Sequence, residues 1–248
     1  MWEEIISYVL IGFAAQMIDG ALGMAYGVTV SSILISTGIP PAIASACVHS
    51  AEVFTTGASG LAHWYIGNVD RRLMLRLLLP GMAGGAIGAY ILTTVPGELI
   101  RPWVSGYLML LGFLILWKAY RHRGTHGDPP TGVGPLGFFG GALDAMGGGG
   151  WGPLVTSTLI GFGVAPRTVI GSVNLTEFFV TSTISATFLV TIGISHWQIV
   201  AGLVMGGVLA APFAALAVRH LPARVLMMVV GAVVIVLSGR TIWKTIVG

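Results

Sequence analysis

Long apolar stretches recur along this chain with little that is hydrophilic between them. They fall at about Ile5 to Ile35, Ala42 to Ile66, Leu73 to Val95, Trp103 to Trp117, Gly134 to Ile160, Val169 to Ile194, Ile199 to Val218 and Val225 to Leu237. A helix of about 20 mostly apolar residues crosses a hydrocarbon core about 30 Å thick, so these stretches read as membrane-crossing helices. Charged residues make up only 8% of the 248 positions. A water-soluble domain carries roughly 25%, so lipid is the solvent for most of this surface. The predicted fold class is an all-α polytopic membrane protein.

The net charge of +3 does not indicate a nucleic-acid partner. The Lys and Arg residues sit beside apolar segments as topology signals, with no basic stripe and no interleaved aromatics. The start, Met1 to Glu4, carries Glu3 and Glu4 without a Lys or Arg, unlike a cleaved signal peptide. A single cysteine, Cys47, gives no disulfide framework or multi-cysteine metal site. The six histidines show no ligand spacing, and neither a P-loop nor a G-x-S-x-G pattern is present. Neither a cofactor, a resident metal nor an enzymatic activity is expected.

The chain also repeats itself. With an offset of 125 residues, Asp19 falls on Asp144, Gly27 on Gly152, Ser32 on Ser157, Pro41 on Pro166, Glu52 on Glu177 and Thr56 on Thr181. After one inserted residue the register still pairs Gly67 with Gly193, Pro96 with Pro222 and Trp117-Lys118 with Trp243-Lys244. Rare residue types match, so the likeness is more than shared hydrophobicity. The expected organisation is a first transmembrane repeat over 1–118, a polar linker over 119–131 and a second transmembrane repeat over 132–248.

Each repeat opens on an interrupted segment, DGALGMAYG from Asp19 to Gly27 and DAMGGGGWGP from Asp144 to Pro153. Irregular backbone at membrane depth is tolerated only inside protein or against a wet cavity, and paired breaks of this kind mark transporters whose site lies between the repeats. If each opening segment is a broken span, the repeats are parallel; if it is re-entrant, they are inverted. Inversion sets Arg71, Arg72, Arg76, Lys118, Arg121, Arg123, Arg167, Arg219 and Arg224 against Arg101, Arg240 and Lys244. That nine-to-three asymmetry is steeper than the eight-to-four of the parallel arrangement, so inverted repeats are expected.

Four acids lie in apolar surroundings as two matched pairs, Asp19 with Asp144 and Glu52 with Glu177. Ionisable groups at that depth mark pathways, relays or counter-ions. On a helix Ser45, His49, Glu52 and Thr56 share a face, as do Asn174, Glu177 and Thr181, so one polar stripe per half is expected to face the interior. Two plainer readings stand beside this: protonated Glu52 and Glu177 as hydrogen-bonding glue, and Asp19 and Asp144 as caps of the following half-helix. Gly-rich breaks expose backbone N–H groups at the positive end of the next half-helix, where an anion can bind without a buried Arg. The alternative reading of those glycines is close helix packing.

The block from Gly12 to Gly27, its second copy from Gly137 to Pro153, and the acidic helix after each resemble the TauE/SafE sulfite exporter family across nearly the whole chain. The first copy departs from that pattern, with Ala21, Leu22, Met24 and Ala25 where glycines are usual. The resemblance implies a multi-pass carrier of the bacterial inner membrane for sulfite, thiosulfate or a small organosulfonate, driven by an ion gradient. The expected substrate contacts are Gly23, Tyr26, Gly27, His49, Gly148, Gly149, Gly150, Trp151 and Asn174, with Asp19, Glu52, Asp144 and Glu177 coupling protons. The expected partners are a small anionic solute and membrane lipid, with homo-oligomerisation left open. A cation or metal-ion carrier using the buried acids, or an anion channel, is the competing reading.

Overall fold

The computed structural model of the chain describes residues 2–22, 24–120, 132–193, 196–217 and 223–247. Gly23, most of the linker, and Arg121, Arg123 and Arg219 lie outside the described residues. Among the described residues every regular element is helical. The first half holds α1 (Trp2–Leu22), α2 (Tyr26–Ser36), α3 (Pro41–Tyr65), α4 (Arg71–Thr94) and α5 (Gly97–Tyr120). The second holds α6 (Gly134–Gly147), a π-helical turn (Gly152–Thr156) running into α7 (Ser157–Gly161), then α8 (Pro166–Thr191), α9 (Trp197–Ala217) and α10 (Ala223–Val247). The two breaks read from the sequence thus separate α1 from α2 and α6 from the π turn.

Local chemistry explains the boundaries. Pro41 and Pro166 open α3 and α8, where a missing N–H loses nothing and the fixed φ suits the first turn. Asp70 caps α4, its carboxylate accepting from the Arg72 and Leu73 N–H groups at 2.8 and 3.1 Å. Among the described residues four helices are long and apolar enough to cross a membrane: α4, α5, Arg167–Thr191 of α8 and Met227–Val247 of α10. The 25 residues of α3 are long enough too, but Ser45, His49, Glu52 and Thr56 are all buried along one side. Outward, the surface is apolar, and exposed Trp64, Trp103, Trp117, Tyr120, Trp197 and Trp243 lie at or near helix ends, as at a membrane–water interface.

The halves interlock. α1 packs chiefly on α9 and α6 chiefly on α4, so each opening helix lies on the other half. Glycines bring the backbones together: Gly202 meets Ile5 and Tyr8 while Gly206 meets Val9 and Phe13, so α1 and α9 run in the same direction. Gly84 against Phe138 and Gly88 against Ala142 set α4 and α6 parallel in the same way. The matched helices oppose each other instead. Gly57 meets Phe178 and Gly60 meets Leu175, while Arg167 near the start of α8 donates to Asn68 just past the end of α3, so α3 and α8 are antiparallel. So are α5 and α10, where Gly112 meets Ile235 and Leu116 meets Gly231. Since α9 returns from α8, α1 shares the direction of α3, and the 11-residue α2 between them runs back as the second arm of a hairpin.

Candidate functional site

The tips of the two hairpins meet in the middle of the molecule. A Cβ on Gly27 would stand 2.7 Å from the Gly148 carbonyl oxygen and 2.8 Å from the Gly149 Cα, so only glycine allows this backbone-to-backbone approach. The Ser31 hydroxyl ties the tips together by donating to the Gly148 carbonyl at 2.6 Å. Beside the contact lies a small polar cavity whose lining includes Asp19, Tyr26, Glu52, Asp144, Gly150 and Glu177. All four acids of the matched pairs therefore border one space.

Three of these carboxyls take N–H groups at the break. Asp19 Oδ1 accepts from Tyr26 N–H, the first residue of α2, at 3.2 Å. Its repeat partner Asp144 accepts in the same manner from Trp151 N–H at 2.9 Å. The Gly27 N–H donates to the Glu52 carboxyl, one residue further along α2. Such amides carry the partial positive charge of a helix start and are where an oxyanion would bind. The capping reading of the two aspartates is thus present in the geometry, and capping and anion binding draw on the same donors.

His49 joins the halves, and its hydrogen bonds fix a proton count. Its Nδ1 is 2.8 Å from the Ser45 carbonyl, which can only accept. The Ser45 hydroxyl gives its single hydrogen to the Ala145 carbonyl at 2.5 Å, so it has none for Nδ1. Nδ1 must therefore carry a hydrogen. The opposite nitrogen, Nε2, is 3.1 Å from Asp144 Oδ2, and that contact needs one proton between imidazole and carboxyl. Glu52 Oε2 is 4.0 Å from the same nitrogen and has no hydrogen-bond partner among the described residues. Asp144, His49 and Glu52 thus form a buried chain from one hairpin to the helix that holds the other.

Several residues stand elsewhere than the sequence alone suggested. The Trp151 indole is fully buried in the core, donating to the Val173 carbonyl at 3.3 Å, and only its main chain reaches the site. Asn174, which matches His49 in the repeat, donates to Ser59 Oγ at 2.9 Å instead of lining the cavity. Gly23 lies outside the described residues. Two neighbours were missed. Tyr107 on α5 lies against Gly147 and Gly150, and its buried hydroxyl has no partner among the described residues. Lys118, read as a topology signal, reaches back to within 3.6 Å of the sulfur of Met24, a residue of the cavity wall. Among the described residues no three His, Cys, Asp or Glu side chains are grouped so as to hold a metal ion.

The family described as sulfite exporter TauE/SafE matches residues 8–241. The probable membrane transporter protein YtnM of Bacillus subtilis (strain 168) is 40% identical over 250 residues, covering 97% of this chain and 83% of that protein. No solved structure matches.

Proposed function

The chain belongs to the sulfite exporter TauE/SafE family of membrane transporters, and from that premise we propose that it is a proton-coupled carrier of a small sulfur-containing anion. Sulfite, thiosulfate and small organosulfonates are the substrate class, and the bacterial inner membrane is the location. The halves, 1–118 and 132–248 about the linker 119–131, are inverted repeats. Support for inversion comes from the antiparallel packing of α3 on α8 and of α5 on α10, since matched helices of parallel repeats would run the same way.

The observation that carries the reading is the one-proton contact between His49 and Asp144, with Glu52 next in line on the same imidazole. Glu52 and the two aspartates occupy the N–H groups an oxyanion would use. A carboxylate and an oxyanion compete for those donors, whereas a protonated carboxyl releases them and can itself donate to the anion. Loading the proton therefore favours loading the anion. The half-helix starts supply attraction without a buried cation, and the glycines let the anion approach the main chain.

Proteoliposomes with an imposed proton gradient test this by uptake of labelled sulfite. Glu52→Gln and His49→Gln keep a polar side chain but break the relay, so both should lose concentrative uptake by at least tenfold while still exchanging labelled for unlabelled anion. Accumulation by Glu52→Gln at the wild-type level would overturn the relay. Failure of the wild-type chain to move sulfite, thiosulfate or methanesulfonate would overturn the anion assignment.

A further inference from the structure

Away from the centre, at one end of the molecule, the last residues of α2, the first turns of α5 and the last turns of α10 enclose a second cavity of about 600 Å³. Its charged residues are Arg101, Lys244 and Glu98, and threonine and serine hydroxyls complete the wall. Arg101 donates from one terminal nitrogen to the Gly38 carbonyl at 2.9 Å, while its Nε is buried without a partner among the described residues. Two cations over one carboxylate, with hydroxyls around them, favour a small oxyanion.

The polar lining does not stop at this cavity. One turn deeper, Ser105 follows Arg101 on α5 and Ser238 precedes Thr241 on α10, and Ser32 and Thr29 follow each other inward along α2. These positions keep the i, i+3, i+4 spacing of single helix faces. The three helices pack on one another. Each of the four hydroxyls is buried, and none has a hydrogen-bond partner among the described residues. Buried hydroxyls are ordinarily satisfied, so four without partners on three mutually packed helices are a concentrated exception. The outer end of α2 borders the basic cavity and its first turn borders the central one. At about 1.5 Å per residue its 11 residues cover roughly 16 Å, and Ser32 and Thr29 stand between its two ends.

We propose that this junction is a hydroxyl-lined half-channel through which a small oxyanion passes between the Arg101–Lys244 vestibule and the central cavity. The inference rests on the carrier reading for its cargo. Arg101 and Lys244 gather the anion from water, and Ser105, Ser238, Ser32 and Thr29 replace its hydration in steps.

Because Cys47 is the only cysteine, single-cysteine variants are simple to make on a Cys47→Ser background. Ser105→Cys and Ser238→Cys are compared with Ile184→Cys, a fully buried site on α8, in reconstituted vesicles. The probes are two small thiosulfonate reagents, one ending in a sulfonate and one in a quaternary ammonium. The expected result is modification of positions 105 and 238 by the sulfonate reagent at least tenfold faster than of position 184. Arg101→Gln with Lys244→Gln should slow that reagent several-fold and leave the cationic one unchanged. Rates at 105 and 238 no faster than at 184 would overturn the path. A lipid phosphate in the vestibule would show itself as slow sulfonate labelling in phosphatidylglycerol vesicles, relieved in phosphatidylcholine, and would also overturn it. Labelling needs no transport: if the path labels but the wild-type chain moves no sulfur-containing anion, the carrier reading falls and the path stands.

Discussion

The two hairpins are copies that share a frame and differ in chemistry. In both, an aspartate seven residues upstream accepts the N–H that opens the second arm, Asp19 from Tyr26 and Asp144 from Trp151. Beyond that frame they part. The first turns its corner through Ala25, held at φ 96°, and among the described residues no imidazole bonds its aspartate, the residue matching His49 being Asn174, bonded to Ser59. The second turns through Gly148 at φ 66° and a π turn, and Asp144 shares a proton with His49. Both hairpins thus keep the cap, which a broken helix needs, and differ in the side chain opposite it. Among the described residues only the second hairpin's aspartate meets an imidazole.

Swapping matched positions tests that comparison most severely where the tips touch. Gly149→Val drives a side chain into the Gly27 and Val28 backbone, whereas its counterpart Met24 already carries a side chain. Gly149→Val should cost about 3 kcal/mol or more and Met24→Val about 1 kcal/mol. Thermal unfolding in detergent reads the difference. Equal midpoints for the two variants would mean that the tips do not meet as described.

A smaller contrast separates the aspartates. Losing a cap costs about 1 kcal/mol in either hairpin. Asp144→Ala also leaves His49 Nε2 buried without its partner, which adds about 1.5–3 kcal/mol for a hydrogen bond involving a charged group. The Asp144→Ala midpoint should therefore fall about two and a half to four times as far as that of Asp19→Ala. An equal fall would reduce both residues to caps.

The smallest effect is a gain. Ala25→Gly relieves a left-handed conformation that disfavours a Cβ and should stabilise by about 0.5–1 kcal/mol. The matched change, Gly150→Ala, should instead destabilise, since its Cβ would press on the Tyr107 hydroxyl. Measuring both midpoints side by side shows whether the sign reverses as expected.

Much of the frame was legible in the sequence because it rests on local rules. Helix starts at Pro41 and Pro166, breaks at two Gly-rich corners and a polar face on α3 all follow from spacing within one segment. The four acids were legible as a set because carboxyls are rare in apolar runs. What was not legible is contact between distant segments. Nothing near His49 or Asp144 announces that they meet 95 positions apart, and Tyr107 sits in a run that reads as an ordinary lipid-facing helix. Lys118 shows the same limit, since a terminal lysine has the same spacing whether it snorkels outward or reaches inward.

The exchange of opening helices between the halves has a consequence for how such a chain is made. A ribosome delivers α1 and α2 long before α9 exists, so the glycine-lined seat that Gly202 and Gly206 provide for α1 is absent while the first half enters the bilayer. The second hairpin meets no such delay, because α4 precedes α6 and is waiting for it. Insertion and assembly are therefore separate events for the N-terminal arm, and it can settle only when nearly the whole polypeptide has been synthesised.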